Sequence, residues 1–226
     1  MENESPEFLG VAHWIHRAPP LAGIDPIELT ARDWGETVVR ARSSWTRRGI
    51  IGRSQSYVKT YDYPSRRDRR RGWLRTTWLA RSRAAREAAA IAWLLDHGFA
   101  APTLLGVVEW RLRSGVLRRA AIITEAWDGE PLERLWPRLA PQPRTALRAG
   151  LEAWVERLHR AGFRDRNLDP RNILVRFDAD GAPTFCKLDS PRYRLNAPGE
   201  RDDRLARADR ERLRRGLDAS TGQEER

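Results

Sequence analysis

The chain has 226 residues, enough for one ordinary domain or two small lobes and too few for a string of independent modules. Hydrophobic residues make up 40% of it and include ten tryptophans, which supplies a core and excludes a wholly disordered chain. Forty-two Lys and Arg against 31 Asp and Glu give a net charge of +11, so the expected partners are anionic: nucleic acid, nucleotide, anionic lipid or phosphorylated glycan. The single cysteine, Cys186, excludes an intramolecular disulfide framework and a thiolate zinc site, as a reducing compartment predicts. The stretch from Met1 to Gly10 lacks the basic and apolar regions of a secretory signal, and no apolar run approaches the ~18 residues of a membrane span. The expectation is a soluble, cytoplasmic protein.

In chain order, short β-compatible runs at His13 to Ile15 and Thr37 to Arg42 are separated by Pro- and Gly-containing turns. Ser43 to Arg53, with Gly49 and Gly52, reads as a loop, and Ser56 to Tyr61 as a strand with Tyr57, Lys59 and Tyr61 on one face. From about Gly72 the pattern becomes helical, with Ala84, Ala88, Ile91 and Leu95 at three- and four-residue spacings and a stop at His97-Gly98. Two strands follow, over Leu104 to Trp110 and Val116 to Glu125. After Trp127-Asp128-Gly129 the character changes. Helices are predicted at Pro131 to Leu135 and Pro143 to His159, then a polar loop over Phe163 to Asn172. A hairpin pairs Ile173 to Phe177 with Thr184 to Leu188, and a charged tail helix begins near Arg201 and frays by Asp218. The predicted lobes are residues 1–126 and 127–226, the second a shortened one.

This α+β order, a β-rich lobe with one long helix followed by a mostly helical lobe, is that of a protein-kinase-like bilobal fold. Four spaced features support it. Lys59 stands on a strand after the Gly-containing loop, where a lysine reaches the phosphates of ATP, with Gly49 and Gly52 as the loop glycines. Glu87, in the next helix, is placed to pair with that lysine. In the loop Arg164-Asp165-Arg166-Asn167-Leu168-Asp169-Pro170-Arg171-Asn172, Asn172 stands where a kinase holds Mg²⁺, directly before a strand. Asp189 ends the next strand at the position of the other metal ligand. One position departs: five residues before Asn172, where the catalytic acid belongs, stands Asn167, while Asp165 takes the place of the loop histidine. A solvated strand lysine, a surface ion pair and an Asn/Asp-rich turn are the plain readings of these features taken singly. Their joint order is what carries the argument.

Tyr57 to Lys59, the Arg86-Glu87 helix running to Gly98-Phe99-Ala100-Ala101-Pro102, Ile123-Thr124-Glu125, Leu158 to Phe163 and Leu188-Asp189 together resemble the lipopolysaccharide kinase family, over roughly Val38 to Arg215. The resemblance implies ATP and Mg²⁺ as cofactors and a sugar hydroxyl of Kdo, heptose or a related glycolipid as acceptor. By position it implies that Lys59 holds phosphate, Glu87 orients Lys59, Asn172 and Asp189 bind metal, and Glu125 to Trp127 lie beside adenine. Asn167 cannot act as a carboxylate base, which leaves Asp165 and Asp169 as candidate substitutes. Phosphoryl transfer depends mainly on positioning and electrostatics, so loss of the base need not abolish turnover.

Other features read more plainly. His13 and His16 lack partners for a zinc site, and Cys186 reads as a buried, inert thiol. Arg66 to Arg83, interleaved with Trp73 and Trp78, is a candidate contact for an anionic membrane surface. Nucleic-acid binding has no RRM or KH motif behind it. Three functions therefore stand: an active sugar or glycolipid kinase, an ATP-binding pseudokinase scaffold, and a basic nucleic-acid or membrane-binding module. The retained set of Lys59, Glu87, Asn172 and Asp189 favours the kinase.

Overall fold

The computed structural model describes residues 10–31, 33–41, 43–63, 81–196 and 204–221. Most of the basic segment at 66–83, and the start of the helix predicted from position 72, lie outside these residues. The chain divides into two compact units, Met1–Ala89 with Thr103–Ala126, and Ala90–Pro102 with Trp127–Arg226. Residues 90–102 thus group with the second unit, where the sequence pattern places them in the first lobe.

The first unit is built on strands β1 (Val11–Arg17), β2 (Glu36–Ala41), β3 (Ser44–Ile51), β4 (Ser54–Asp62), β5 (Leu104–Arg111) and β6 (Leu117–Glu125). They form one antiparallel sheet in the order β1-β5-β6-β4-β3-β2. The loop predicted over Ser43 to Arg53 is mostly strand β3, because Trp45, Thr46, Ile50 and Ile51 favour a pleated, half-buried surface and the turn closes only at Gly52. Leu21, Leu29, Val58, Leu105, Val108, Trp110 and Ile123 make the core, with Trp14 and Trp34 packed against it. A short helix α1 (Pro26–Thr30) supplies Leu29, and the Asp25 carboxylate accepts the Ile27 N–H at 2.8 Å as its N-cap.

Helix α2 (Arg83–Asp96) begins where the Ser82 hydroxyl accepts the Ala85 N–H at 3.1 Å, and it ends at Gly98, which takes φ 71°. Its buried positions Ala84, Glu87, Ala88, Ile91 and Leu94 follow the three- and four-residue spacing of one helix face, with a carboxylate in the middle of an apolar stripe.

The second unit contains α3 (Leu132–Arg138), α4 (Pro141–Arg160) and α5 (Arg204–Thr221). It also holds a three-stranded sheet of β7 (Glu130–Pro131), β9 (Ile173–Phe177) and β10 (Pro183–Lys187), in the order β10-β9-β7. A small pair joins β8 (Phe163–Arg164) to β11 (Arg194–Leu195). Helix α4 buries Leu147, Leu151, Trp154, Val155, Leu158 and His159. Phe163 is clasped between Trp93 and the stacked ring of Tyr193, at centroid distances of 5.1 and 5.3 Å, which fixes the point where the polar loop begins. Helix α5 continues to Thr221, past the fraying point expected at Asp218, because Leu217 and Ser220 are buried and hold its last turn. No described helix is long and apolar enough to cross a membrane.

Replacing Ser82 with Ala removes the cap of α2 and is expected to cost about 0.5 to 2 kcal/mol, read as a lower urea midpoint with an unchanged slope.

Candidate functional site

Strand β4 lies at the centre of the sheet, with Lys59 opposite Thr46 of β3 and Ile122 of β6. Alternation sends Lys59 and Tyr61 to the same face, where both meet Glu87 of α2. The Lys59 ammonium lies 3.1 and 3.3 Å from the two Glu87 oxygens, and the Tyr61 hydroxyl donates to Glu87 Oε2 at 2.7 Å. Lys59 also sits 5.3 Å from the Tyr61 ring centroid, and the Arg83 guanidinium lies 5.2 Å from the same centroid. The side chains of Lys59 and Glu87 are 20% and 9% exposed, so the pair is shielded enough to hold its geometry while the lysine keeps access to solvent.

Of the two glycines predicted to bind the cofactor from a loop, one lies within a strand and the other in the turn that follows it. Gly49 lies within β3, and a Cβ there would come within 2.8 Å of the Trp34 ring. Close packing accounts for it. Gly52 takes φ 63° in the β3–β4 turn, six residues from the Lys59-facing position of β3, Thr46, and so belongs to the turn. The connection nearer Lys59 is that between β2 and β3, around residues 41–44, and it holds no glycine. Glu125 ends β6, pairs in register with Ser56 and donates its N–H to the Thr103 carbonyl at 3.0 Å. In the second unit, the Trp127 ring carries the Arg176 guanidinium 4.8 Å above it.

Within the second unit, Asn167, Asn172 and Asp189 come together. Asn167 Nδ2 donates to the Asp189 carbonyl and to Asp189 Oδ2, both at 3.0 Å. Asn172 Nδ2 donates to the Asn167 carbonyl at 3.3 Å, and the Leu188 N–H donates to the Asn172 carbonyl at 2.9 Å. The Asn172 amide oxygen and the Asp189 carboxylate are hard oxygen donors, the kind a magnesium ion takes in ones and twos beside phosphate oxygens and water. Among the described residues no cluster of three or more His, Cys, Asp or Glu is built for a metal, so a fully protein-caged ion does not fit. A partly caged one does.

The two candidate substitute bases are both committed. Asp169 caps the short turn Pro170–Asn172 by accepting the Arg171 N–H at 3.3 Å, and its carboxylate pairs with the Arg171 guanidinium at 3.2 Å. Asp165 is 0% exposed and lies 3.1 Å from the equally buried ammonium of Lys187. Burial pushes its pKa above the usual carboxylate range, with the Lys187 ammonium and the Ser190 hydroxyl pulling back. A carboxylate sealed in this way is not presented to an acceptor hydroxyl, which general base catalysis requires. Cys186, beside Lys187, is buried, and burial pushes its thiol up to about 12.

Asp209 was hidden in the charged tail. It sits on the buried stripe Ala206, Asp209, Leu213, Leu217 of α5 at 1% exposure, and accepts the N–H groups of Asp165 and Arg166 at 2.9 and 2.8 Å. His159 Nε2 lies 3.4 Å from the same carboxylate. The signal available in the sequence was the spacing: an acid at i, i+3 from Ala206 and i, i+4 to Leu213 occupies the apolar face.

Against known proteins, the sequence model of the lipopolysaccharide kinase (Kdo/WaaP) family matches residues 40–224. The chain belongs to that family. Among solved structures, it resembles WaaP in complex with acyl carrier protein at 18% identity and a TM-score of 0.64, over 93% of this chain and 89% of that one. It also resembles the Rio2 kinase of Chaetomium thermophilum, in a complex with ADP, Mg²⁺ and phosphoaspartate, at 16% identity and a TM-score of 0.53, over 85% of this chain and 67% of that one. No curated protein sequence matches. The fold is therefore the protein-kinase-like α+β fold expected from the order of elements, and family membership supports a phosphotransferase.

Tyr61→Phe removes one hydrogen bond to a shielded carboxylate and is expected to lower stability by about 1 to 2 kcal/mol in denaturant titration. At pH 8 the Cys186 thiolate is scarce because its pKa stands at about 12, so a thiol-reactive disulfide reagent should leave the native protein unlabelled and react at once after denaturation.

Proposed function

We propose that this protein is an ATP- and Mg²⁺-dependent phosphotransferase that moves a γ-phosphoryl group to a sugar hydroxyl of the lipopolysaccharide core class, Kdo, heptose or a related glycolipid. The observation that carries this reading is the convergence of Asn167, Asn172 and Asp189 through direct hydrogen bonds, in a chain that also keeps the Lys59–Glu87 pair. Lys59, held by Glu87, serves the phosphates of the nucleotide. Asn172 and Asp189 would hold the metal, which supplies neutralising charge to the phosphate oxygens when bound. Glu125 and Trp127 flank the peptide at which the chain passes from the first unit to the second, and this stretch is assigned to adenine.

Asn167 then takes a role that needs no carboxylate. Its Nδ2 is spent on Asp189, and its amide oxygen is an acceptor for the sugar hydroxyl, orienting that oxygen toward phosphorus without removing its proton. In a loose transition state the hydroxyl loses its proton late, to an oxygen of the transferred phosphoryl group or to water, so orientation contributes without a base. The commitment of both Asp165 and Asp169 to other partners favours a second reading, a pseudokinase that binds nucleotide without turnover. For either reading the net charge of +11 supports an anionic partner, through residues 66–83 or another basic face, and the acyl carrier protein bound to WaaP marks a carrier protein as one class to try.

The test is ATP consumption by the purified protein with Mg²⁺, with and without lipopolysaccharide core sugar. Acceptor-dependent turnover that falls at least 100-fold in Asp189→Ala is the expected result. Nucleotide binding with no acceptor-dependent turnover would establish the scaffold, and failure to bind nucleotide would overturn both.

A further inference from the structure

Two residues before Asn167 stands Asp165, and two residues before Asp189 stands Lys187. The downstream members of these two segments are joined by the Asn167–Asp189 hydrogen bonds at 3.0 Å, and the upstream members by the ion pair at 3.1 Å. The loop and the strand end are therefore joined twice, once by the two Asn167 amide hydrogen bonds and once by the Asp165–Lys187 pair at 0% exposure. The Lys187 ammonium also donates to the Leu188 carbonyl, which belongs to the peptide leading into Asp189. Asp165 thus reaches the chain just before Asp189 through Lys187.

The backbone between these anchors is strained. Asp189 takes φ 55° and Arg166 takes φ 60°, left-handed conformations that non-glycine residues enter at a cost and keep only when their surroundings impose them. At Arg166 the imposing group is Asp209, which accepts the N–H groups of Asp165 and Arg166. At Asp189, Asn167 bonds the carbonyl and the carboxylate, and the Asp165–Lys187 pair holds the preceding residues through Lys187 and the Leu188 carbonyl. An ion pair sealed from water returns little stability over apolar side chains of the same volume, so stability alone is a poor reason for two full charges at this point. Its location two residues upstream of both site residues gives it a geometric use.

We propose that Asp165 and Lys187 form a positioning pair, which imposes the left-handed backbone at Asp189 and so aims the Asp189 carboxylate for cation binding. This rests on the assignment of Asn172 and Asp189 to the metal, and it gives Asp165 a task in place of the base it was expected to supply.

The test compares wild type, Asp165→Asn, Lys187→Met and the double variant Asp165→Leu/Lys187→Met in the full chain. Each single change strands a buried charge or dipole and should lower the thermal midpoint. The double change leaves an apolar contact and should restore most of it. Two further measurements separate positioning from packing. The first is the Mg²⁺ concentration giving half-maximal ADP binding, expected to rise at least tenfold in the double variant despite its recovered midpoint. The second, made without metal, is amide hydrogen exchange over residues 186–192, expected to accelerate at least tenfold in the double variant. A double variant that recovers stability, Mg²⁺ dependence and exchange protection together overturns the proposal. If wild type shows no Mg²⁺-dependent ADP binding, the metal assignment fails by itself, and the exchange measurement still decides whether the pair sets the backbone at Asp189.

Discussion

Asp209 lies on the buried side of α5 with 1% of its surface exposed, and a carboxylate in that position is tolerable only if donors meet its oxygens. The chain supplies them from the backbone of one loop: two successive N–H groups, at Asp165 and Arg166, with His159 beside them. Two adjacent amides can converge on one carboxylate only if the chain turns sharply there, and the left-handed φ of Arg166 is that turn. Everything downstream inherits the direction so set. Asn167 emerges toward Asp189, the Pro170–Asn172 turn follows, and Asn172 returns to bond the Asn167 carbonyl. A charged residue in the last helix thus governs a loop more than 40 positions earlier in the sequence.

The charge pairs of the two units obey different constraints. Lys59 and Glu87 are joined across a strand and a helix, with the lysine 20% exposed and a tyrosine hydroxyl holding the carboxylate in place. Such a pair is shielded on the carboxylate side, while the lysine keeps some access to solvent. Asp165 and Lys187 are wholly dry, and neither can leave without stranding the other in a medium that does not solvate it. The first pair keeps a cation available. The second keeps a backbone fixed.

Most strands and α2 were legible because their periodicities are strong, two in Ser56 to Tyr61 and three and four in Ala84 to Ile91, although the stripe continues at Leu94 and leaves the expected Leu95 48% exposed. The order of Lys59, Glu87, Asn172 and Asp189 was legible for the same reason, since each sits at a recognisable place in an element. Gly49 was misread because a glycine in a polar stretch suggests a loop, whereas its cause is the ring of Trp34, 15 residues away in sequence and invisible to local pattern. Asp165 was misread because sequence gives proximity along the chain and says nothing of depth. The lysine that occupies its carboxylate lies 22 residues later, and only the pairing of β10 with β9 brings it there.

Asn167 acquires a physical explanation from the same geometry. Its Nδ2 stands 3.0 Å from Asp189 Oδ2, a separation at which an aspartate would set carboxylate against carboxylate. Two carboxylates that close repel each other, so an aspartate here would oppose Asp189 where Asn167 donates to it. With asparagine, the amide supplies the donor. On the proposed function, Asn167 offers a hydrogen bond to Asp189 where a base would stand, which suits a reaction that draws more on the placement of charge than on proton removal.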